Sequence, residues 1–181
     1  FGPEAIEYRL ADSRARAVIT DNENLSKINE IIQRLPHLKL IIAVDGGSQK
    51  DVTDFWECVN QGSSQFNPVK TRPDDPALII YTSGTTGQPK GTLHGHRLLP
   101  GILPGFDYFH NLFPQKGDLM WTPLDSSYIG WSYDALFPTL HHGYPVLAYR
   151  SRKFDPEEAF CMMARHGVRN LMAVPTVLRM M

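Results

Sequence analysis

Short apolar runs alternate with helically spaced apolar residues along this chain. Residues 4–14 read as a short helix, and Ala17-Val18-Ile19 within 15–20 reads as a short strand. Asp21 or Asn22 can cap a following helix that carries Leu25, Ile28, Ile31, Ile32 and Leu35 on one face. Pro36 forbids its continuation, because proline lacks the N–H and its ring clashes with the preceding turn. Residues 40–44, Leu-Ile-Ile-Ala-Val, predict a buried strand ended by Asp45 and two glycines. Residues 52–60 predict another helix, and 62–75, polar with prolines, a surface connection. Leu78-Ile79-Ile80-Tyr81 predicts a short buried strand of a parallel sheet. Such β-α-β-α-β alternation is the mark of a parallel α/β layer.

The second half repeats the theme. Residues 96–111 predict a helix despite Pro100, Pro104 and two glycines, and 119–121 a strand. Residues 130–142 look helical, with Tyr133, Leu136, Phe137 and Leu140 on one side, and Pro138 must kink that helix or mark a boundary. Residues 146–149 predict a strand. The best-marked helix follows, with Asp155 at the N-cap, Pro156 at the first position and Glu158 at the third. Its inner stripe is read as Ala159, Met162, Met163 and His166, and Gly167 stops it. Residues 171–174 predict a strand, and Pro175 opens a helix. The fold class expected is α/β, with parallel-sheet layers and flanking helices. Residues 1–112 are expected to form one α/β subdomain and 113–181 a truncated part of a second, with its own sheet.

One stretch obeys neither period. Thr82 to Gly91 holds three glycines, a proline, four hydroxyl side chains and a lysine within ten residues. Glycine lets backbone amides approach an anion closely. Successive N–H groups can form an anion-binding concavity, hydroxyls add donors, and Lys90 adds a full positive charge. The ligand this loop suits is a polyphosphate. It is not a Walker loop, because Pro89 stands where that pattern, started at Gly84, needs its second glycine. Nor is it the dinucleotide fingerprint, since Thr86 occupies the place of the second glycine.

Bulk properties narrow the partners. The net charge of −1 offers no electrostatic case for nucleic acid. No apolar run is long enough to span a bilayer, which needs about 18 residues or more. Cys58 and Cys161 stand far apart without metal spacing, as two unpaired thiols in a reducing cytoplasm would. Among the seven histidines no pair has zinc-helix spacing, and no metal site is expected. Asp107, Asp118 and Asp134 read as isolated, solvated carboxylates.

At residues 81–91, Tyr-Thr-Ser-Gly-Thr-Thr-Gly-Gln-Pro-Lys-Gly, the chain resembles the adenylate-forming enzymes: acyl-CoA synthetases, luciferases and peptide-synthetase adenylation domains. Every position of that family's phosphate-loop signature is matched. Phe1-Gly-Pro-Glu-Ala-Ile-Glu-Tyr-Arg-Leu, Tyr133-Asp-Ala-Leu-Phe-Pro and Lys153-Phe-Asp-Pro-Glu-Glu look like its acetyl-CoA-synthetase-like branch, so the resemblance runs through the whole chain.

The resemblance implies part of a two-sheet N-terminal domain of an ATP-dependent carboxylate–CoA ligase, with ATP, Mg2+ and CoA as its small molecules. It implies that Thr82, Ser83, Gly84, Thr85, Thr86, Gly87 and Lys90 hold the β- and γ-phosphates of ATP. Thr86 and Lys90 would assist the departure of pyrophosphate. Residues 121–131 match the segment that in the family lines the acyl pocket. Tyr128 would gate that pocket, with Ile129 and Gly130 lining it. Tyr128 replaces a common Trp and Trp131 a common Gly, so the acyl group stays open. Gly130 in place of a bulkier Thr would leave room, which Trp131 could take back. His94 matches a position often held by His.

The chain opens and closes in mid-pattern and reads as an excised fragment of a longer cytoplasmic enzyme. Such a piece is expected to be inactive alone and to self-associate through uncovered apolar faces. The competing reading is a nucleotide-phosphate-binding or structural module without catalysis.

Overall fold

The structure is a computed structural model and describes residues 1–45, 50–82, 88–149 and 153–181. The chain divides into two compact units, residues 1–72 with 77–94, and residues 73–76 with 95–181.

The first unit begins with α1 (Pro3–Asp12), β1 (Ala17–Thr20) and α2 (Asn22–Ile31). The Asp21 side chain caps α2 by accepting the Asn24 N–H at 2.8 Å, which satisfies one of the orphan donors of the first turn. A 3-10 turn (Ile32–Arg34) winds α2 down before Pro36. Next come β2 (Leu40–Ala43), β3 (Thr53–Asp54) and α3 (Phe55–Gln61), the last capped by Asp54. The three strands pair in parallel in the order β1-β2-β3, with Ala17 opposite Leu40 and Ile42 opposite Thr53. Leu25, Ile28 and Ile31 of α2 pack with Leu35, Leu38 and Ile41 into one cluster. Three of the five residues expected on that helix face, Leu25, Ile28 and Ile31, are thus core residues on α2, whereas Ile32 is half-buried and Leu35 joins the core from beyond the helix. β3 is too short to carry a hydrophobic pattern, which is why only its helix was legible.

The run 78–81 departs from expectation. It lies in β4 (Pro76–Thr82), which pairs with β5 (Lys90–Gly95) in a separate two-stranded sheet. Ile79 is exposed, and no residue of β4 is fully buried. An apolar run signals a buried parallel strand only if both faces are covered, and here Leu78, Ile80 and Tyr81 are only half-buried while Ile79 is exposed. β5 was not anticipated, because Lys90-Gly-Thr-Leu-His-Gly95 has little strand propensity.

In the second unit, α4 (Leu98–Phe109) tolerates Pro104 inside the helix. β6 (Met120–Trp121) pairs in parallel with β7 (Asn170–Leu171). The strand expected at 146–149 reduces to one parallel bridge between Val146 and Met120. The helix expected at 130–142 is α5 (Ile129–Trp131), a π-helical turn (Ser132–Leu136) and α6 (Phe137–His141) in succession. Pro138 cannot donate to the turn before it, and the helix widens there. The Phe137 N–H reaches the Ser132 carbonyl, five residues back. The buried Thr139 hydroxyl donates to the Ala135 carbonyl at 2.6 Å.

Helix α7 (Pro156–His166) starts and ends as its caps predict. The Asp155 carboxylate accepts the Glu158 N–H at 3.0 Å, and Gly167 takes φ of 69°, the left-handed conformation glycine adopts at least cost. Ala159 and Met162 are buried against Trp121, but His166 is exposed. That histidine lies in the last turn, where a basic side chain faces the helix's negative end and water. α8 (Pro175–Met180) follows.

Candidate functional site

The phosphate-loop motif is strung between β4 and β5. Thr82 is the last residue of β4 and Lys90 the first of β5, and both are exposed. Lys90 therefore stands on a strand rather than on the loop itself. Ser83, Gly84, Thr85, Thr86 and Gly87 lie outside the described residues.

Tyr81, one residue before Thr82, is tied to α1. Its hydroxyl donates to the Asp12 carboxylate at 2.6 Å and lies 3.3 Å from the Arg9 carbonyl oxygen. Its ring meets Tyr8 edge-on at 6.3 Å, and the Arg9 guanidinium stands 5.8 Å from its centre. The Tyr81 phenol is pushed up to about 12, first by desolvation, then by its hydrogen bond to Asp12 and the charge of that carboxylate. Across the hairpin, Gly91 leaves space that Tyr81 fills. A Cβ at Gly91 would come within 3.0 Å of Ile79 Cγ2 and 3.1 Å of the Tyr81 ring.

The second constellation begins where β6 ends. Trp121 is buried in the core, and Thr122, also buried, accepts the Leu124 N–H through its hydroxyl at 3.2 Å. Asp125 then makes a turn of its own. Its carboxylate accepts the Ser127 N–H at 2.8 Å, and its carbonyl accepts the Tyr128 N–H at 2.9 Å. The Ser127 hydrogen bonds hold the Asp125 carboxyl below its ordinary range. This turn sets Tyr128 at the N-cap of α5, with half of its surface exposed, 50%. Ile129 is half-buried and Gly130 buried. A Cβ on Gly130 would meet the Tyr128 ring at 2.7 Å and the Asp134 carboxylate at 3.2 Å. The space beside Gly130 is thus held by the Tyr128 ring and the Asp134 carboxylate.

The three carboxylates read as solvated are all engaged. Asp118 is buried, accepts the Gln115 N–H at 2.7 Å and faces Arg169 at 3.5 Å. Asp107 meets His142 at 2.8 Å. Asp134 sits beside Gly130, and desolvation raises its carboxyl above the ordinary value. Gln115 lies three residues before Asp118 and Asp134 one helical turn after Gly130, whereas Arg169 and His142 are distant in sequence from Asp118 and Asp107. Those two short spacings were the available signals. Asp12 gave none, since its partner is 69 residues away. His94 is half-buried on β5. Among the described residues no three His, Cys, Asp or Glu side chains converge as a metal site would require.

A strand pair joined by a glycine- and hydroxyl-rich connection, with a cation on the far strand, thus accompanies a parallel α/β sheet. The chain belongs to the AMP-binding enzyme family, whose model matches residues 1–181. It is 29% identical over 177 residues to mouse mitochondrial acyl-coenzyme A synthetase ACSM4, covering 97% of this chain and 30% of that protein. It is 30% identical over 202 residues to the acetyl-coenzyme A synthetase of Syntrophus aciditrophicus, covering 99% of this chain and 30% of that protein. The solved acyl-CoA synthetase of Brucella canis superimposes with a TM-score of 0.83 at 27% identity, over 99% of this chain and 32% of that one. ATP-bound MatB from Rhodopseudomonas palustris, 24% identical, shares the fold with a TM-score of 0.80, over 99% of this chain and 34% of that one. The chain spans about a third of the length of these relatives. Among the described residues, no helix is long and apolar enough to cross a membrane.

Proposed function

We propose that the protein carrying this chain is an ATP-dependent carboxylate–CoA ligase. The observation that carries the reading is the motif 81–91 held between β4 and β5, with the Thr82 hydroxyl and Lys90 ammonium exposed at its two described ends. In the first step a substrate carboxylate oxygen attacks the α-phosphorus of ATP. The phosphoanhydride bond breaks and pyrophosphate leaves with the electron pair. The carboxylate is already ionised near pH 7, so no general base is needed. What the reaction needs is stabilisation of charge growing on the departing phosphates. Thr82, Ser83, Thr85, Thr86 and Lys90 supply the donors, and Gly84 and Gly87 let the backbone close. In the second step the sulfur of CoA attacks the acyl carbonyl carbon, its proton goes to solvent, and AMP leaves.

Mg2+ would enter with ATP and offset the charge of its phosphates. Tyr128, Ile129 and Gly130 line the acyl site, and a small fatty acid is the substrate class we assign. The compartment we assign is the cytoplasm, where the exposed, free Cys58 and Cys161 persist as thiols. Self-association of the isolated chain belongs to the same proposal. The sheet face carrying Ile19 and Leu40 is open to solvent, and parallel sheets are ordinarily covered on both faces.

A pair of single-turnover assays on the protein as its gene encodes it tests the mechanism. One starts from ATP plus acid, the other from preformed acyl-adenylate. Lys90→Ala and Thr86→Ala should each slow the first roughly a hundred- to thousand-fold, the usual cost of one lost transition-state donor. Both should leave the second intact, because pyrophosphate has left by then. Equal slowing of both assays would mean that the loop does not act on the leaving group.

A further inference from the structure

A two-stranded hairpin is marginal by itself and needs an anchor on something larger. In the first unit the anchor of β4 is Tyr81. Its hydroxyl spans 69 residues to reach Asp12 at 2.6 Å, and its ring covers Gly91 on the opposite strand. The same side chain therefore touches helix α1, the strand entering the phosphate motif and the strand leaving it.

Asp12 has no reason of its own to be where it is. It is the last residue of α1, where a carboxylate opposes the negative end of the helix dipole. Helix stability would favour a lysine or arginine there. The acid is explained by its partner, since a hydrogen bond to an ionised acceptor is stronger than one to a neutral group. Gly91 fits the same account, because any side chain there would push the Tyr81 ring away.

We propose that Asp12 and Tyr81 are positioning residues for adenylation, forming a clasp that sets Thr82 and Lys90 relative to each other and to α1. The clasp rests on the phosphate-binding reading of the motif. Tyr81 adjoins Thr82 and Gly91 adjoins Lys90, so rotation of the Tyr81 ring shifts the backbone that carries both donors. Misplacement of reacting groups by about 1 Å costs on the order of a hundredfold in rate, so a shift of a fraction of that costs about tenfold.

The test is ATP–pyrophosphate exchange by the protein as encoded, with Tyr81→Phe, Asp12→Ala, Asp12→Asn, the double variant Tyr81→Phe/Asp12→Ala, and Lys90→Ala. Tyr81→Phe keeps the ring over Gly91 and against Tyr8 and removes only the hydroxyl's hydrogen bonds to α1. Tyr81→Phe and Asp12→Ala should each lower kcat about tenfold, as expected for two groups coupled in one contact. The KM for the carboxylate should not move. The double variant should be no slower than the slower single. Asp12→Asn, which keeps an acceptor oxygen, should recover most of the rate lost in Asp12→Ala. A melting curve taken beside each assay removes loss of folded protein from the comparison. Multiplicative losses in the double variant, or an equal rise in the KM for the carboxylate, would overturn the clasp. Wild-type exchange in Lys90→Ala overturns the phosphate reading and the clasp with it. Slow exchange in Lys90→Ala beside wild-type exchange in Tyr81→Phe overturns the clasp alone.

Discussion

The two units of this chain are filled with different material. The first holds a single cluster of six aliphatic side chains from α2, β2 and the turn between them. Every buried polar or charged residue described, Asp118, Thr122, Thr139 and Asn170, lies in the second. The second unit's apolar interior is also split in two, around Phe106 and Met120 and around Trp121 and Met162. Trp121 Nε1 and Asn170 Nδ2 are buried there without a hydrogen-bond partner among the described residues. An aliphatic core gains its stability from burial alone and tolerates imprecision in direction. A buried polar group must be aimed at a partner or it costs stability. The second unit's interior thus shapes backbone: Thr122 turns the chain after β6, and the Thr139 hydroxyl of α6 ties back to the Ala135 carbonyl in the widened turn. The first unit is a platform, and the residues proposed for chemistry lie outside its core, on the β4–β5 strand pair.

The largest effect that would test this contrast is in the platform. Ile31 is fully buried at the centre of the cluster, 0% exposed. Ile31→Ala should destabilise the first unit by about 2–5 kcal/mol, the range for buried large-to-small changes that leave a cavity. Urea denaturation read through Trp56, which lies in that unit, measures it. A loss well below that range would mean that the cluster does not hold the unit together.

A smaller effect should appear in the second unit. Thr139→Val keeps shape and removes the hydroxyl that donates to the Ala135 carbonyl at 2.6 Å. The expected cost is about 1 kcal/mol, the net worth of one hydrogen bond. It should come with altered circular dichroism or amide exchange at residues 132–139, because the hydroxyl supports the widened turn. A neutral Thr139→Val would show that the polar interior carries no geometry, and the contrast would lose its functional half.

The same contrast explains what could be read in advance. The α2 stripe from Leu25 to Ile31, its Asp21 cap, the Asp155-Pro156 start of α7 and its Gly167 stop are local signals, each written within one helix. All appear as read. Errors fell where the outcome depends on distant partners. Leu78-Ile-Ile-Tyr81 has the composition of a buried strand, yet its neighbour is β5 and none of its residues is fully buried. Residues 146–149 have strand composition but find one bridge. Asp118 and Asp107 look solvated until Arg169 and His142 are brought to them. Of the candidate site, the motif was legible because its chemistry is contiguous. The tie from Tyr81 to Asp12 was not, because no periodicity links a strand end to a helix end 69 residues earlier.

That tie has a pH signature, the smallest of the expected effects and one that belongs to the platform alone. The Tyr81 phenol lies at about 12 in the fold against an ordinary value of 10.0. The raised value means that the folded state favours the protonated form, which donates to Asp12. The sign follows from linkage. Stability from this group is fully present below pH 10 and is lost as pH rises through about 12. Other tyrosines and lysines titrate in the same range, so absolute stability is a poor readout. The difference between wild type and Tyr81→Phe isolates the contribution, since phenylalanine keeps the ring over Gly91 and cannot ionise. That difference should be constant below pH 10 and shrink between pH 10 and about 12. Denaturant midpoints measured across that window check it. Asp12→Ala should narrow the window from the top, because the hydrogen bond and the charge of Asp12 are the second and third causes of the rise, while desolvation, the largest, remains. A difference that stays flat through the window would mean that the phenol is not donating to Asp12 in solution. The hairpin would then be held to the platform by ring packing alone.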